Sequence, residues 1–436
     1  MTAPAGISRR HFLVGSGAGV VASLVAPQLL PRYAFATPGD PAAGDVLVCV
    51  FLRGAADGLS LVPPFSDTAG YQALRGAGTG NDVAIPPPDP GDPANTAIDL
   101  GTVVAGHHFG LHPGATGLKR VWDAGHLAIV HAAGLPAAAG GTRSHFQAQA
   151  DLERGTIQQD VATGWLGRHL TSTGTPATLP ALGYGGAVPA SLRGEQRAMA
   201  IASLPTFGVG GFADDARAGT VLRQAYADGT GDAVRQQGAD TLATADALAA
   251  ADPAGHDVVA AGSYDALTGP VAALGRGLRE IAQLIRADVG LRVACIDFGN
   301  WDTHARMGPA SGGWMRNQAT GLSDALAAFH DDLGADIDEV TLVTMSEFGR
   351  TVNVNGNNGT DHGRGSCLFV MGGHVNRGIW GDYPAGPLAD GPEGDLTVVN
   401  DTRAVLTEVL AKRCGAAEPA SVFPGYSHTG DLGVVR

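Results

Sequence analysis

Lysine is almost missing from this chain. Lys119 and Lys412 are the only two in 436 residues, and 28 basic residues in all face 42 acidic ones, for a net charge of −14. A protein that holds a phosphate backbone needs a basic surface, so nucleic acid is not an expected partner. Charged residues make up only 16% of the chain against 44% apolar ones, too apolar a balance for a disordered polymer. Cysteine is scarce as well: Cys49, Cys295, Cys367 and Cys414 lie far apart, and no C-x-x-C exists to hold zinc or run dithiol chemistry. The first three sit in apolar runs and read as small buried hydrophobes, and the spacing defines no disulfide. Four sequence signatures of catalysis or nucleotide binding are also lacking. Without G-x-S-x-G there is no nucleophile elbow of the usual α/β-hydrolase, and without H-E-x-x-H no zincin protease. Neither a P-loop lysine nor G-x-G-x-x-G spacing accompanies the glycines, so no nucleotide cradle is indicated. The 65 glycines follow no three-residue period, which excludes collagen.

What is present begins with an export signal. Ser8-Arg9-Arg10-His11-Phe12-Leu13 precedes a weakly apolar, uncharged run from Val14 to Ala26, and Ala34 and Ala36 offer an A-x-A cleavage site. Paired arginines before a modest apolar stretch resemble a twin-arginine leader, which carries folded proteins through its own export machinery. The run is shorter than the ~20 residues of a membrane span and is broken by glycine, so no stable membrane anchor is expected, and no other run is long enough. Residues 1–36 are therefore read as a leader, and the mature chain as periplasmic, cell-surface or extracellular. Cleavage there removes three arginines and no acids, leaving a net charge of −17.

Residues 37–436 read as a single α/β domain. Continuous apolar runs at Val46–Leu52, Leu127–Ala133, Ala198–Ser203, Leu291–Phe298, Val340–Met345 and Cys367–Met371 suggest strands covered on both faces. Helical patterns at 115–124, 146–153, 213–251, 257–288, 317–333 and 401–413 alternate with them, the signature of a doubly wound, mostly parallel sheet. The Ala-rich stretch 205–290 contains no strand candidate and reads as a helical insertion or cap. The proline-rich segment 76–95 reads as an exposed loop.

In such a sheet functional groups gather where strands end. Arg53-Gly54-Ala55-Ala56-Asp57-Gly58 follows the first run. Thr142-Arg143-Ser144-His145-Phe146 follows the second, at the start of a helical pattern. Asn300-Trp301-Asp302-Thr303-His304 follows Leu291–Phe298, Ser346-Glu347-Phe348-Gly349-Arg350-Thr351 follows Val340–Met345, and Gly359-Thr360-Asp361-His362-Gly363 precedes the last run. Aspartate and neutral histidine are ligands for a borderline divalent ion. A carboxylate-rich pair of ions suits phosphoryl-type transfer, with a serine beside it as nucleophile and arginines holding the anionic group. The ordinary readings of the same residues are turns at Asp57-Gly58 and Asp361, a helix N-cap at Ser144, and a structural helix entry at His112-Pro113.

Together with Phe109-Gly110-Leu111-His112-Pro113, these segments resemble, in order and over nearly all the mature chain, the secreted bacterial DUF1501 family of unknown function. That family in turn resembles the alkaline phosphatase and sulfatase superfamily, whose enzymes use two metals and a Ser, Thr or formylglycine nucleophile. The resemblance implies an alkaline phosphatase-like fold and a metal-dependent hydrolase of a phosphate or sulfate ester or related anionic bond, small or polymer-linked. It implies two divalent ions, zinc first and then manganese, magnesium or calcium, on Asp57, Asp302, His304, Asp361 and His362. Ser144 would be the nucleophile, with Arg143 and Arg350 on the anionic oxygens; attack by a metal-bound water without Ser144 is equally open. The pattern departs in places: Asp302 and His304 are two apart where the superfamily has four, and neither His374 nor His428 has the context of its last metal histidine. The formylglycine pattern Cys-x-Pro-x-Arg is absent. The alternatives are a non-catalytic binding protein that keeps the fold, and a metal-free serine esterase using Ser144 with His145, His112 or His131.

Overall fold

The computed structural model describes residues 44–436, except 77–81, 175–176, 178, 209–214, 227–232, 260, 392–393 and 417; the expected leader lies outside the described residues. The architecture is mixed α/β around a nine-stranded sheet, with a separate two-stranded hairpin. In chain order the strands are β1 (Val46–Leu52), β2 (Ile98–Val104), β3 (His107–Leu111), β4 (Leu127–Gly134), β5 (Ala181–Tyr184), β6 (Met199–Ile201), β7 (Val293–Phe298), β8 (Val340–Met345), β9 (Ser366–Gly372), β10 (Gly378–Trp380) and β11 (Asn400–Asp401). The sheet runs β10-β4-β9-β8-β1-β7-β5-β6, with β11 also paired to β4, and β2 pairs with β3. Every pairing in the large sheet is parallel except those of β9, which runs antiparallel to both β4 and β8.

The continuous apolar runs have the expected cause. Along β1, Val46, Val48, Val50 and Leu52 enter one core while Leu47, Cys49 and Phe51 enter the other, so both faces are covered. The helices Thr116–Asp123, Val271–Arg286 and Trp314–Leu333 close the first core. Trp165–Thr173, Thr402–Lys412 and Phe423 close the second. All four cysteines are buried and unpaired. No described helix is long and apolar enough to cross a membrane.

Two local differences from the sequence reading have plain causes. The helical pattern over 257–288 is two helices, Ala261–Asp265 and Val271–Arg286, because Gly269 turns the chain at φ +65° and Pro270 caps the next helix. That second helix packs on β7 and on Trp314–Leu333, so this end of the 205–290 stretch is a layer of the main core. Of the expected helix over 213–251, Asp215–Tyr226 and Ala233–Ala251 are helical, and residues 213–214 and 227–232 lie outside the described residues.

Candidate metal centre

Parallel strands β1, β7 and β8 deliver their carboxyl ends to one edge, and the reversed β9 begins at that same edge. Asp302 and His304 follow β7, Glu347 and Arg350 follow β8, His362 precedes β9, and His145 opens the helix His145–Arg154 after β4. Each loop therefore presents its side chains to a common point.

At that point three imidazoles and a carboxylate meet. His362 Nε2 lies 2.8 Å from His304 Nε2 and 3.0 Å from His145 Nε2. Asp302 Oδ1 stands 3.1 Å from His304 Nε2, 3.5 Å from His362 Nε2 and 3.6 Å from His145 Nε2. The opposite nitrogen of each ring is engaged elsewhere. His145 Nδ1 faces Glu347 Oε1 at 2.8 Å, His304 Nδ1 faces Asp361 Oδ1 at 2.9 Å, and His362 Nδ1 faces the Arg143 carbonyl at 2.9 Å. A carboxylate or carbonyl can only accept, so each Nδ1 carries the proton and each neutral ring turns a bare Nε2 lone pair inward.

Four lone pairs thus converge with no hydrogen between them unless a ring is protonated. His362, the central ring, is pushed below the ordinary histidine pKa by burial and then by the charge of Arg350. An ion bonded at about 2.0–2.2 Å spreads tetrahedral donors to about 3.3 Å, within about half an ångström of these five separations. The residues present fit a divalent cation.

The acids around the point are held in their charged form. At Glu347, whose side chain is fully buried, burial works to raise the pKa, but bonds from Gln149, from backbone amides and from His145 outweigh it and the net shift is downward. Its Oε1 accepts from Gly54 N at 2.8 Å and from Gln149 Nε2 at 2.9 Å. Asp302 likewise ends below the ordinary carboxylate range: Arg350, bonded to it at 2.5 Å, overcomes the desolvation. Asp361 is lowered by its bond from His304, against a smaller desolvation, and also accepts from Asn355.

Of the residues singled out from the sequence, Asp302, His304 and His362 face the common point. Asp361 stands one bond behind it, on His304 Nδ1. Asp57 is elsewhere: its carboxylate is buried, its two oxygens accept from Arg75 at 2.6 and 3.1 Å, and Oδ1 also caps Ser60 N. Arg350 is buried among five acceptors, the carbonyls of Gly54, Ala55, Trp301 and Thr360 and the Asp302 carboxylate, so it braces the loops rather than facing an open cleft. Arg143 donates to the His362 carbonyl at 2.7 Å, reciprocating that ring's bond. Ser144 is exposed at the N-cap of the helix, and its hydroxyl makes no capping bond. His374 follows the far end of β9, on the opposite edge of the sheet, and His428 pairs with Asp431 at 3.0 Å. The third histidine is His145, whose signal was its place in Arg-Ser-His-Phe at a strand-to-helix turn.

The profile of a family described as a protein of unknown function, DUF1501, matches residues 131–393, more than half of the chain. The chain belongs to the DUF1501 family. The matched segment includes all four converging residues of this DUF1501 protein. No curated protein sequence matches it. Among solved structures, one titled "Crystal structure of Ps i-CgsB" is similar at 10% identity and a TM-score of 0.33, over 78% of this chain and 69% of that one. That likeness is too distant to inform fold or chemistry.

Proposed function

We propose that this DUF1501 protein is an exported, metal-dependent hydrolase of the alkaline phosphatase-like type, cleaving a phosphate or sulfate ester or a related anionic bond. The supporting observation is the convergence of three histidine lone pairs and the Asp302 carboxylate on one point at the functional edge of the sheet. A cation bound there would stabilise negative charge on the oxygens of the scissile group. Ser144, one residue before His145 and exposed at a helix N-terminus, is the proposed nucleophile. Its oxygen bonds to the phosphorus or sulfur centre, the hydroxyl proton passes to solvent or to the departing oxygen, the alcohol leaves, and water then cleaves the serine ester. The first turn of that helix offers backbone amides to the transferred anion. The expected twin-arginine leader accounts for export in a folded state.

The test is metal content by mass spectrometry of protein purified without chelator, with hydrolysis of phosphate and sulfate monoesters by wild type and Ser144→Ala. Bound divalent metal, turnover, and a loss of about 10³-fold or more in the variant with its metal retained support the reading. Metal-free protein that stays so when zinc or manganese is supplied sinks it. Full metal without turnover of any ester favours the binding protein, a reading supported by the structural commitments of Arg350.

A further inference from the structure

We infer that the centre takes one ion, not two, of the nitrogen-preferring zinc, cobalt or iron(II) class, on His145 Nε2, His304 Nε2, His362 Nε2 and Asp302 Oδ1, with Asp361 and Glu347 as positioning residues. This rests on the metal reading above and deepens it.

The count follows from where the acids are. A second ion a few ångströms away would need its own carboxylates, as two-metal phosphoryl sites have. The candidates for that role are already engaged: Asp57 by Arg75, Glu347 by four hydrogen-bond donors, and Asp361 by His304 and Asn355. Among the described residues, the one group of three or more ligand side chains close enough to share an ion is His145, Asp302 and His362. His304 stands outside that group and adjoins it through its Nε2, 2.8 Å from that of His362 and 3.1 Å from Asp302 Oδ1.

The class follows from the donors. Three imidazoles and one carboxylate suit zinc and its neighbours, whereas magnesium and calcium take oxygen ligands.

The positioning roles follow from the outer bonds. Each donor has one outer partner: Glu347 on His145, Asp361 on His304, the Arg143 carbonyl on His362, and Arg350 on Asp302. A carboxylate behind an imidazole fixes its tautomer and makes it the stronger ligand. Of these partners Asp361 is the informative one to change, because its side chain is 56% exposed and its loss does not open the core.

The experiment is titration of the full, metal-stripped chain with zinc and cobalt(II), read by bound-ion stoichiometry and by the cobalt visible spectrum, in wild type, His145→Ala, Asp361→Asn and Glu347→Gln. One ion per chain is expected, with magnesium and calcium failing to displace it at equal concentration. Asp361→Asn should weaken cobalt affinity about 10–100-fold while the melting of the metal-free protein stays unchanged, and His145→Ala should weaken it further and change the cobalt bands. Glu347→Gln, at a buried site, counts only if its metal-free form melts normally. Two ions per chain, a preference for magnesium or calcium, or wild-type affinity in both His145→Ala and Asp361→Asn overturns the inference. Absence of any ion overturns the hydrolase reading along with it. A single tethered ion with no ester turned over leaves this inference standing and removes only the hydrolase.

Discussion

Asp57 shows how the same acid reads differently in a sequence and in a fold. Its position just after the first strand is where a superfamily ligand would stand, yet Arg75, from a segment with no apparent signal, reaches back 18 residues and takes both oxygens. Both partners are buried, so removing one leaves an uncompensated charge, at a cost of about 3–5 kcal/mol. Asp57→Ala should therefore lower unfolding stability by about that amount in a urea titration and leave metal stoichiometry intact. Loss of the ion from a variant of normal stability would return Asp57 to the metal. Asp302, His304 and His362 were legible because they cluster in short polar segments at strand ends. His145 reads from the sequence only as a candidate base for a serine esterase and not as a metal ligand, since its partners lie 157 to 217 residues away and nothing local distinguishes it from a helix-entry histidine.

At the scale of elements, the long central strands were legible because both faces are buried and the apolar run is unbroken. The short strands β5, β10 and β11 were not, having two to four residues and little periodicity to detect. The reversal of β9 was invisible too, since strand direction is set by topology and not by composition. The loops that gather at this edge depend on glycine at their crossings. Gly54 sits at φ +113°, and a Cβ there would come within 2.7 Å of Asp302 N and 2.9 Å of Trp301 N. Its own amide also binds Glu347. Gly54→Ala should thus strain the backbone by about 1–3 kcal/mol and push the Asp302 loop away from the histidines. The expected readout is weaker zinc binding in a calorimetric titration than in wild type, from a protein that still folds. Unchanged affinity would mean that the two loops move independently.

The whole molecule carries a second set of histidines with a different role. His131 and His169 are held down to about 4, and His112 to about 3, in each case chiefly by burial. An unfolded histidine titrates near 6.5, so between that pH and about 4 the unfolded chain binds more protons than the folded one. Stability is then complete above about 6.5 and falls on acidification, by up to about 1.4 kcal/mol per pH unit for each of the three. Urea unfolding at pH 7.0, 6.0 and 5.0 should show this decline above the range where the carboxylates begin to protonate. A flat profile would mean that these rings are hydrated in solution.

The converging residues come from positions 145, 302, 304 and 362, carried by strands whose neighbours in space are far apart in the chain. No short piece of this polypeptide holds even three of the donors together, so the unfolded chain offers an ion little to grip. Under the proposal of a bound ion, capture would be tied to closure of the whole sheet: an ion that binds only the finished edge stabilises it in proportion to the logarithm of its free concentration. Loading would then act as a late proof of assembly.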